Sequence, residues 1–457
     1  MLLETFSSLL EQHWRPVFAQ QRTADRAVEH GLSGPLLLGR RTVARTLCAL
    51  GRANQDWSAD YKLFSRSDWR VAPLFDPVLD AYLSSQQKGL IPVGLDDSGY
   101  AKTGKQIAGA HWQRDPLSPP FQVNLRWGLR FLQASLLFPR HPQEGRARAV
   151  PVRFEQAPVI KKPGPRATAE EKQQYRKLKK QFNLSLQAGA QLAGLRQRLD
   201  QKQASRRLLL AVVDGSFCNR TLFRAEGERI ILLARCRKDA RLCRPALGPG
   251  PRRYEAQVFT PEQVRQDPRI PYRRLRVYYG GRRRWIRVKV VHPVLWRRGA
   301  GTRPLRLLVM APQPYRRDKQ GHLCYRQPAY LLTTDGKRAL KHLVQAYLDR
   351  WQIEVNHRDQ KTLLGVGQAQ LRSPRSVPRH PALAVASYAL LQLAALRCLG
   401  PGRGEAFLPL PKWRKKSSRY SLLDLLTLLR QEMANETRGS KWIKPEFAKN
   451  LLLYADT

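Results

Sequence analysis

Acidic residues are scarce in this 457-residue chain: 35 Asp and Glu stand against 82 Lys and Arg, a formal net charge of +47. A compact fold with that excess repels itself unless something anionic neutralises it, and the common polyanion is a nucleic-acid backbone. A membrane surface fits less well, because the basic residues run along the whole chain instead of gathering beside one apolar helix. Cysteine is sparse too. Cys48, Cys218, Cys236, Cys243, Cys324 and Cys398 form no CxxC pair. That leaves a zinc finger unsupported and fits the reduced thiols of a cytoplasmic protein. The opening segment carries Glu4 where a secretory signal needs positive charge, and no small-residue cleavage site follows, so no leader is expected. The longest apolar stretch, Pro381 to Leu399, is interrupted by Ser387, Gln392 and Arg397. It reads as a helix buried in a core, not as a membrane span.

What is present fills a core. The chain is 42% hydrophobic with 10 Trp, 15 Tyr and 14 Phe, so disorder is excluded for most of it, and its length suits two to four structural units. Residues 1 to 88 show helical spacing at Leu2, Leu3, Phe6, Leu9 and Leu10, with a basic helix predicted from Arg40 to Leu50. Short apolar runs then end in acids: Leu90 to Gly99 and Arg206 to Phe217 read as buried strands, and Arg229 to Arg237 as another. Gln122 to Phe138 supplies one or two more. The Pro-rich Pro151 to Pro165 is predicted as a loop and Ala169 to Leu199 as helix. Alternating strands and helices imply an α/β fold. From about Ala246 to Tyr330, period-two segments flanking a Gly-Gly turn read as an antiparallel β insertion, and the chain is helical again after Thr334.

An acid at the end of a buried strand in so basic a chain asks for an explanation. Asp96 or Asp97 ends one such strand and Asp214 another. Ligands in open α/β sheets bind beyond the carboxyl ends of strands, so adjacent strands would bring the two carboxylates together. Close carboxylates raise each other's pKa unless a cation lies between them, and Mg²⁺ prefers such hard oxygen ligands. Turn-forming aspartates are the plain alternative. Asp96 and Asp97 point to opposite faces of a strand, so only one can enter a shared site. A third acid lies in QAYLDRWQIEVNHRDQKTLLG. Read as one helix, this segment places Tyr347, Arg350, Glu354, Arg358 and Lys361 within about 80° of arc, with Val344, Leu348, Trp351 and Val355 as an adjoining apolar stripe. Glu354 is the sole acid on that face.

Tyr347-x2-Arg350-x3-Glu354-x6-Lys361 resembles the Y-x2-R-x3-E-x6-K signature of cut-and-paste DDE transposases of bacterial insertion sequences. GLDDSGYAKTGKQIAGA (Gly94 to Ala110) is similar to the first-acid segment of a subgroup of them. VVDGSFCN (Val212 to Asn219) is similar to their second-acid element, with Ser216 where Gly is frequent. The resemblance spans roughly Leu90 to Leu399. It implies a ribonuclease H-like catalytic core interrupted by a β-rich insertion, with helical N-terminal and C-terminal regions. The expected divisions are a helical DNA-binding region at 1–88, the first core segment at 89–245 with a helical insertion at about 151–205, the β-rich insertion at 246–334, the second core segment at 335–399 and a helical region at 400–457.

The resemblance further implies Asp96 as first acid, with Asp97 as the alternative, acting with Asp214 and Glu354 to hold two Mg²⁺ ions, for which Mn²⁺ could substitute. Tyr347, Arg350, Arg358 and Lys361 would contact DNA, and Trp285 or Trp296 would stack on an extruded base. The implied substrate is double-stranded DNA, both element ends and target, handled by a homodimer without a membrane. A catalytically inactive DNA-binding derivative and a plain nuclease on the same fold are the competing readings. The charge yields the first test: affinity for duplex DNA should fall steeply, and linearly in log–log form, as salt rises. A flat response, measured by fluorescence anisotropy between low and physiological salt, would contradict phosphate contact.

Overall fold

The computed structural model describes the chain except residues 87, 116–117, 120, 139–146, 161, 226, 247, 249–252, 318–319, 401, 414–418, 436–444 and 454–457. For 445, 448, 452 and 453 it describes the backbone alone. Parts of the expected β insertion and of the expected C-terminal helical region thus lie outside the described residues.

The chain opens with helices α1 (Leu2–Trp14), α2 (Gln21–Leu36), α3 (Val43–Ala49), α4 (Ser58–Ser65) and α5 (Asp76–Ser85). Strands β1 (Ile91–Ala101), β2 (His111–Arg114), β3 (Leu125–Phe138) and β4 (Arg148–Gln156) follow, then helices α6 (Ala169–Gln181) and α7 (Leu184–Gln201). Next come β5 (Leu209–Val213), α8 (Arg220–Arg224), β6 (Ile230–Arg235), β7 (Leu242–Pro245), β8 (Tyr254–Phe259) and α9 (Pro261–Gln266). Strands β9 (Arg273–Tyr279), β10 (Arg282–Val294), β11 (Leu305–Met310), β12 (Gln313–Tyr315), β13 (Cys324–Arg326) and β14 (Ala329–Thr333) lead into α10 (Leu340–Asp349), α11 (Gln352–Thr362), α12 (Ser376–Cys398), α13 (Leu422–Asn435) and α14 (Pro445–Leu453).

One mixed α/β body results. Its ten-stranded sheet runs β2-β3-β1-β5-β6-β14-β11-β10-β9, with β4 also paired to β3. Strands β1, β5 and β6 are parallel, and β3 is antiparallel to β1. The predicted strands are present, but two readings change. The Pro-rich stretch expected as a loop begins as β4, which among the described residues pairs with β3 alone. Pro151 is tolerated there because it sits where the pairing register shifts, on an edge where a missing N–H costs no ladder bond. The predicted 169–199 helix is two helices, broken where Asn183 caps α7 by accepting from Ser185 N at 2.8 Å. The antiparallel segment does not stand apart. Strands β9, β10, β11 and β14 continue the same sheet through the antiparallel pair β14–β6, and the Gly280–Gly281 turn joins β9 to β10 with φ of 61° and 87°.

Strand parity divides the core. Ile91, Val93 and Leu95 face the cluster that includes the N-terminal helices, α7 and α12. Leu210, Val212, Ile231 and Leu233 face α10 on the opposite side. Helix α12 is, among the described residues, the one helix long and apolar enough to cross a bilayer, and most of it is buried inside the protein. Its Ser387 hydroxyl donates to Gly31 O of α2 at 2.6 Å. The two terminal regions, expected as separate units, pack together. Glu432 of α13 accepts from the amides of Leu2 and Leu3 at 3.0 and 2.7 Å, capping α1 from the far end of the chain. Arg430 donates to the carbonyls of Leu36 and Leu37 at 3.1 and 3.0 Å.

Gly94 decides how closely α11 approaches β1. A Cβ there would run into Ile353 Cδ1, whose side chain packs with Leu137 and Ala149. Gly94→Val is therefore expected to cost about 1–3 kcal/mol by overpacking. Urea denaturation measures it, and adding Ile353→Ala should recover part of the loss. A neutral Gly94→Val would show that α11 is not seated there.

Candidate active site

The register Leu95↔Val213 between parallel β1 and β5 places Asp96 beside Asp214, one step beyond the last pair. Parity does the rest. Asp96 shares its strand face with Gly94, which meets Ile353 of α11, and Asp214 shares its face with Leu210 and Val212, which meet α10. The α10–α11 side thus receives both side chains. Asp97 points the other way and pairs with Arg130 of β3, Oδ2 to Nε 3.2 Å.

Helices α10 and α11 bring the rest, though not as the single helix expected. The segment breaks at Arg350–Trp351, where neither residue belongs to either helix. The anticipated stripe of Val344, Leu348, Trp351 and Val355 therefore holds only in α10. Beyond the break the buried face is Ile353, Asn356, His357 and Gln360, and Trp351 is turned outward. From the break, Arg350 spans two acids: Nη1 lies 3.2 Å from Asp96 Oδ2 and Nη2 lies 3.2 Å from Glu354 Oε1. Asp214 is within electrostatic reach of both Asp96 and Glu354, and its Oδ1 accepts from Ser216 N at 2.5 Å. Two acids more than two hundred residues apart thus share one guanidinium, with Asp214 within electrostatic reach of both.

Their surroundings resist ionisation. Burial pushes the Asp96 carboxyl up to about 7; Arg350 opposes that, while Asp214 and Asp97 reinforce it. Burial raises Asp97 as well, against the pull of Arg130. It also raises Glu354, against the pull of Arg350. Half-buried carboxylates held toward neutrality are hard-oxygen donors short of positive charge. This donor chemistry suits a divalent ion of the Mg²⁺ class. Among the described residues no three acids, histidines or cysteines are drawn close enough to form a ready cage.

The other candidates separate clearly. Tyr347 is half-buried and lines, with Arg235, Tyr279, Arg326, Arg350 and Trp351, a cavity of about 420 Å³ beside the acids. Lys361 lies 5.3 Å from the centre of the Tyr100 ring, within electrostatic reach of Asp97 and Asp96. Arg358 does not join them. It is exposed and pairs with its neighbour Asp359 at 2.8 Å. Trp285 is exposed on β10 with the Arg274 guanidinium 5.3 Å from its ring, whereas Trp296 is half-buried edge-on against Phe223. Only Trp285 presents a free face.

Residues that were not singled out from the sequence hold the arrangement in place. Gln360 Nε2 donates to Gln133 Oε1 at 2.7 Å and Tyr100 OH donates to Gln360 Oε1 at 3.0 Å. Asn356 Nδ2 donates to Ala149 O and to Tyr388 OH, both at 3.0 Å. These buried amides lock α11 to β1, β3, β4 and α12, fixing where Glu354 projects. Lys102, at the end of β1, donates to the carbonyls of Gly367 and Ala369 at 2.5 and 2.6 Å and anchors the chain just after α11. The spacing of Ile353, Asn356 and Gln360 along one helical face was the available signal, obscured because two of the three are polar.

The raised Asp96 pKa has a consequence for stability. Through the window from about 4 to about 7 the folded protein holds a proton on Asp96 that the unfolded chain has released, so this residue makes stability fall as pH rises. In metal-free buffer Asp96→Asn should flatten that decline, as followed by urea denaturation across the window. An unchanged slope would show that Asp96 is not the titrating group. No family model matches the chain, and no curated protein matches it in sequence.

Proposed function

We propose that this chain is a DNA transposase that binds the inverted repeats at its element's ends, cuts there, and joins the freed ends to target DNA. The observation that carries the reading is that Arg350 joins Asp96 to Glu354 while Asp214, beside Asp96 on the neighbouring strand, lies within electrostatic reach of both. Strand order lends support. The run β4-β3-β1-β5-β6, with parallel β1, β5 and β6 and antiparallel β3, is the arrangement a ribonuclease H-like core requires. On this reading β7 to β14 form the insertion between the second and third acids.

Asp96, Asp214 and Glu354 would hold the divalent ions, Mg²⁺ or Mn²⁺. When bound, such ions activate a water or a DNA 3′-hydroxyl and stabilise the leaving oxygen of an in-line displacement. The protein's own groups do the positioning. Arg350 holds Glu354 and Asp96 in mutual register and offsets their charge until metal and DNA arrive. Lys361, stacked on Tyr100, is placed to contact a phosphate near the first acid. Tyr347 and Trp351, at the mouth of the adjoining cavity, offer a hydroxyl and an aromatic face to the strand beside the cut. Arg358, turned away and paired, is left to a peripheral role. Work on paired ends calls for a homodimer, and the reduced thiols suit the bacterial cytoplasm.

Glu354→Gln keeps size and hydrogen bonding while removing one charge. It should lower Mg²⁺-dependent cleavage of end-bearing DNA by more than the roughly 10–100-fold typical of outer-shell changes at metal sites, and leave DNA affinity intact. Retained cleavage in that variant would sink the three-acid mechanism. Cleavage without joining in the unaltered protein identifies a nuclease, and binding without cleavage an inactive derivative.

A further inference from the structure

Helix α6 buries none of its thirteen residues. A helix this short is marginal in water on its own, and most protein helices persist because one face packs. What holds α6 is local. Thr168 and Glu171 form a reciprocal cap, with Glu171 N donating to Thr168 Oγ1 at 3.2 Å and Thr168 N to Glu171 Oε2 at 2.8 Å. Its half-buried residues, Tyr175 and Leu178, share one side. At 100° per residue, Lys172, Arg176, Lys179 and Lys180 fall within about 100° of arc, at whose edge the Lys179 ammonium lies 5.7 Å from the centre of the Tyr175 ring. All four are exposed. Like charges four residues apart disfavour the helix, so this stripe is tolerated and not selected for stability.

The arm is rooted at the proposed site. Asp214 Oδ1 accepts from Ser216 N, Asn219 Nδ2 donates to Ser216 O at 2.9 Å, and the same nitrogen donates to Ser185 Oγ at 2.7 Å in the first turn of α7. Asn183, the cap of α7, lies two residues after α6 ends. These hydrogen bonds tie the second acid to the first turn of α7, and the chain runs from its cap, Asn183, directly back into the basic helix.

We infer that α6 is a phosphate-tracking arm that lies along the backbone of duplex DNA flanking the cleavage position. The inference rests on the transposase reading and adds to it a contact surface that none of the signature residues supplies. Charge selects the occupant. A second copy of this chain, with 82 basic and 35 acidic residues, offers little that would neutralise the stripe, whereas DNA does so along its length. From Lys172 to Lys180 the stripe extends about 12 Å, matching three or four phosphates of one strand.

The test uses the full chain and a fluorescent duplex of arbitrary sequence, since phosphate contacts ignore sequence. Replacing Lys172, Arg176, Lys179 and Lys180 together by Gln keeps helix propensity and touches only exposed positions. The slope of log affinity against log salt should become shallower by about 3–4, as four lost phosphate contacts require. In parallel, Lys172, Lys179 and Lys180 of the unaltered protein should be shielded from acylation when DNA is bound, read by mass spectrometry. That readout holds even if the quadruple variant misfolds. An unchanged slope, or equal labelling with and without DNA, overturns the arm while leaving DNA binding by the rest of the chain intact. A change in molar mass of the DNA-free variant with no change in slope would assign the stripe to self-association and overturn it as well. If the unaltered protein binds no DNA in a salt-dependent manner, the transposase reading fails first and the arm falls with it.

Discussion

The Arg350 guanidinium, reaching Asp96 on one side and Glu354 on the other, joins the two halves of the chain that form the site. Without a cation in that position, the two half-buried carboxylates and nearby Asp214 would push one another's pKa further up. The contact depends on backbone detail at both ends. Gly94 removes the side chain that would otherwise keep Ile353 away from β1, and the break between α10 and α11 lets Arg350 leave the helical path and turn to both acids. A desolvated pair of this kind is weak as a source of stability, because desolvation offsets much of its Coulombic gain. Its value lies in geometry: it holds Asp96 and Glu354 to one guanidinium.

Around that contact the fold is layered by parity. One face of the parallel strands packs on the terminal helices, α7 and α12, and the other on α10. Helix α12 owes its buried position to this arrangement. It is wrapped by α1 and α2, and α13 reaches across to cap α1 through Glu432. The buried amides of α11, Asn356 and Gln360, bond to Gln133, Tyr100, Ala149 and Tyr388, so the helix bearing the third acid is fixed by directional bonds as well as by apolar contact.

Much of this was legible in the linear chain. Apolar runs ending in Asp96–Asp97 and Asp214 announced two strands, although β1 continues past the first acids to Ala101, and the Gly280–Gly281 pair announced a hairpin whose positive φ values both residues adopt. The helical character of both termini was equally plain. Less was visible where one residue type serves two roles. Pro151 suppressed the strand signal of β4 although an edge position at a register shift accommodates it. Trp351 counted as a core residue by periodicity, yet a break that periodicity cannot register turned it to the surface. Arg358 fell on the right arc and still paired with Asp359, because a long side chain at the helix exterior follows its nearest charge.

Composition and spacing by themselves determined that the chain is α/β, strongly cationic, equipped with a core, and marked by acids just after two apolar strand runs and a third in a later helical segment. These are local properties, set by alternation, helical period and charge count, and they survive without knowledge of what touches what. Tertiary structure alone decided that Asp96 and not Asp97 shares a face with Asp214, that Arg350 bridges the first and third acids, and that the terminal regions form one layer. Each of those depends on strand register and on contacts between residues hundreds of positions apart, which no window along the sequence contains.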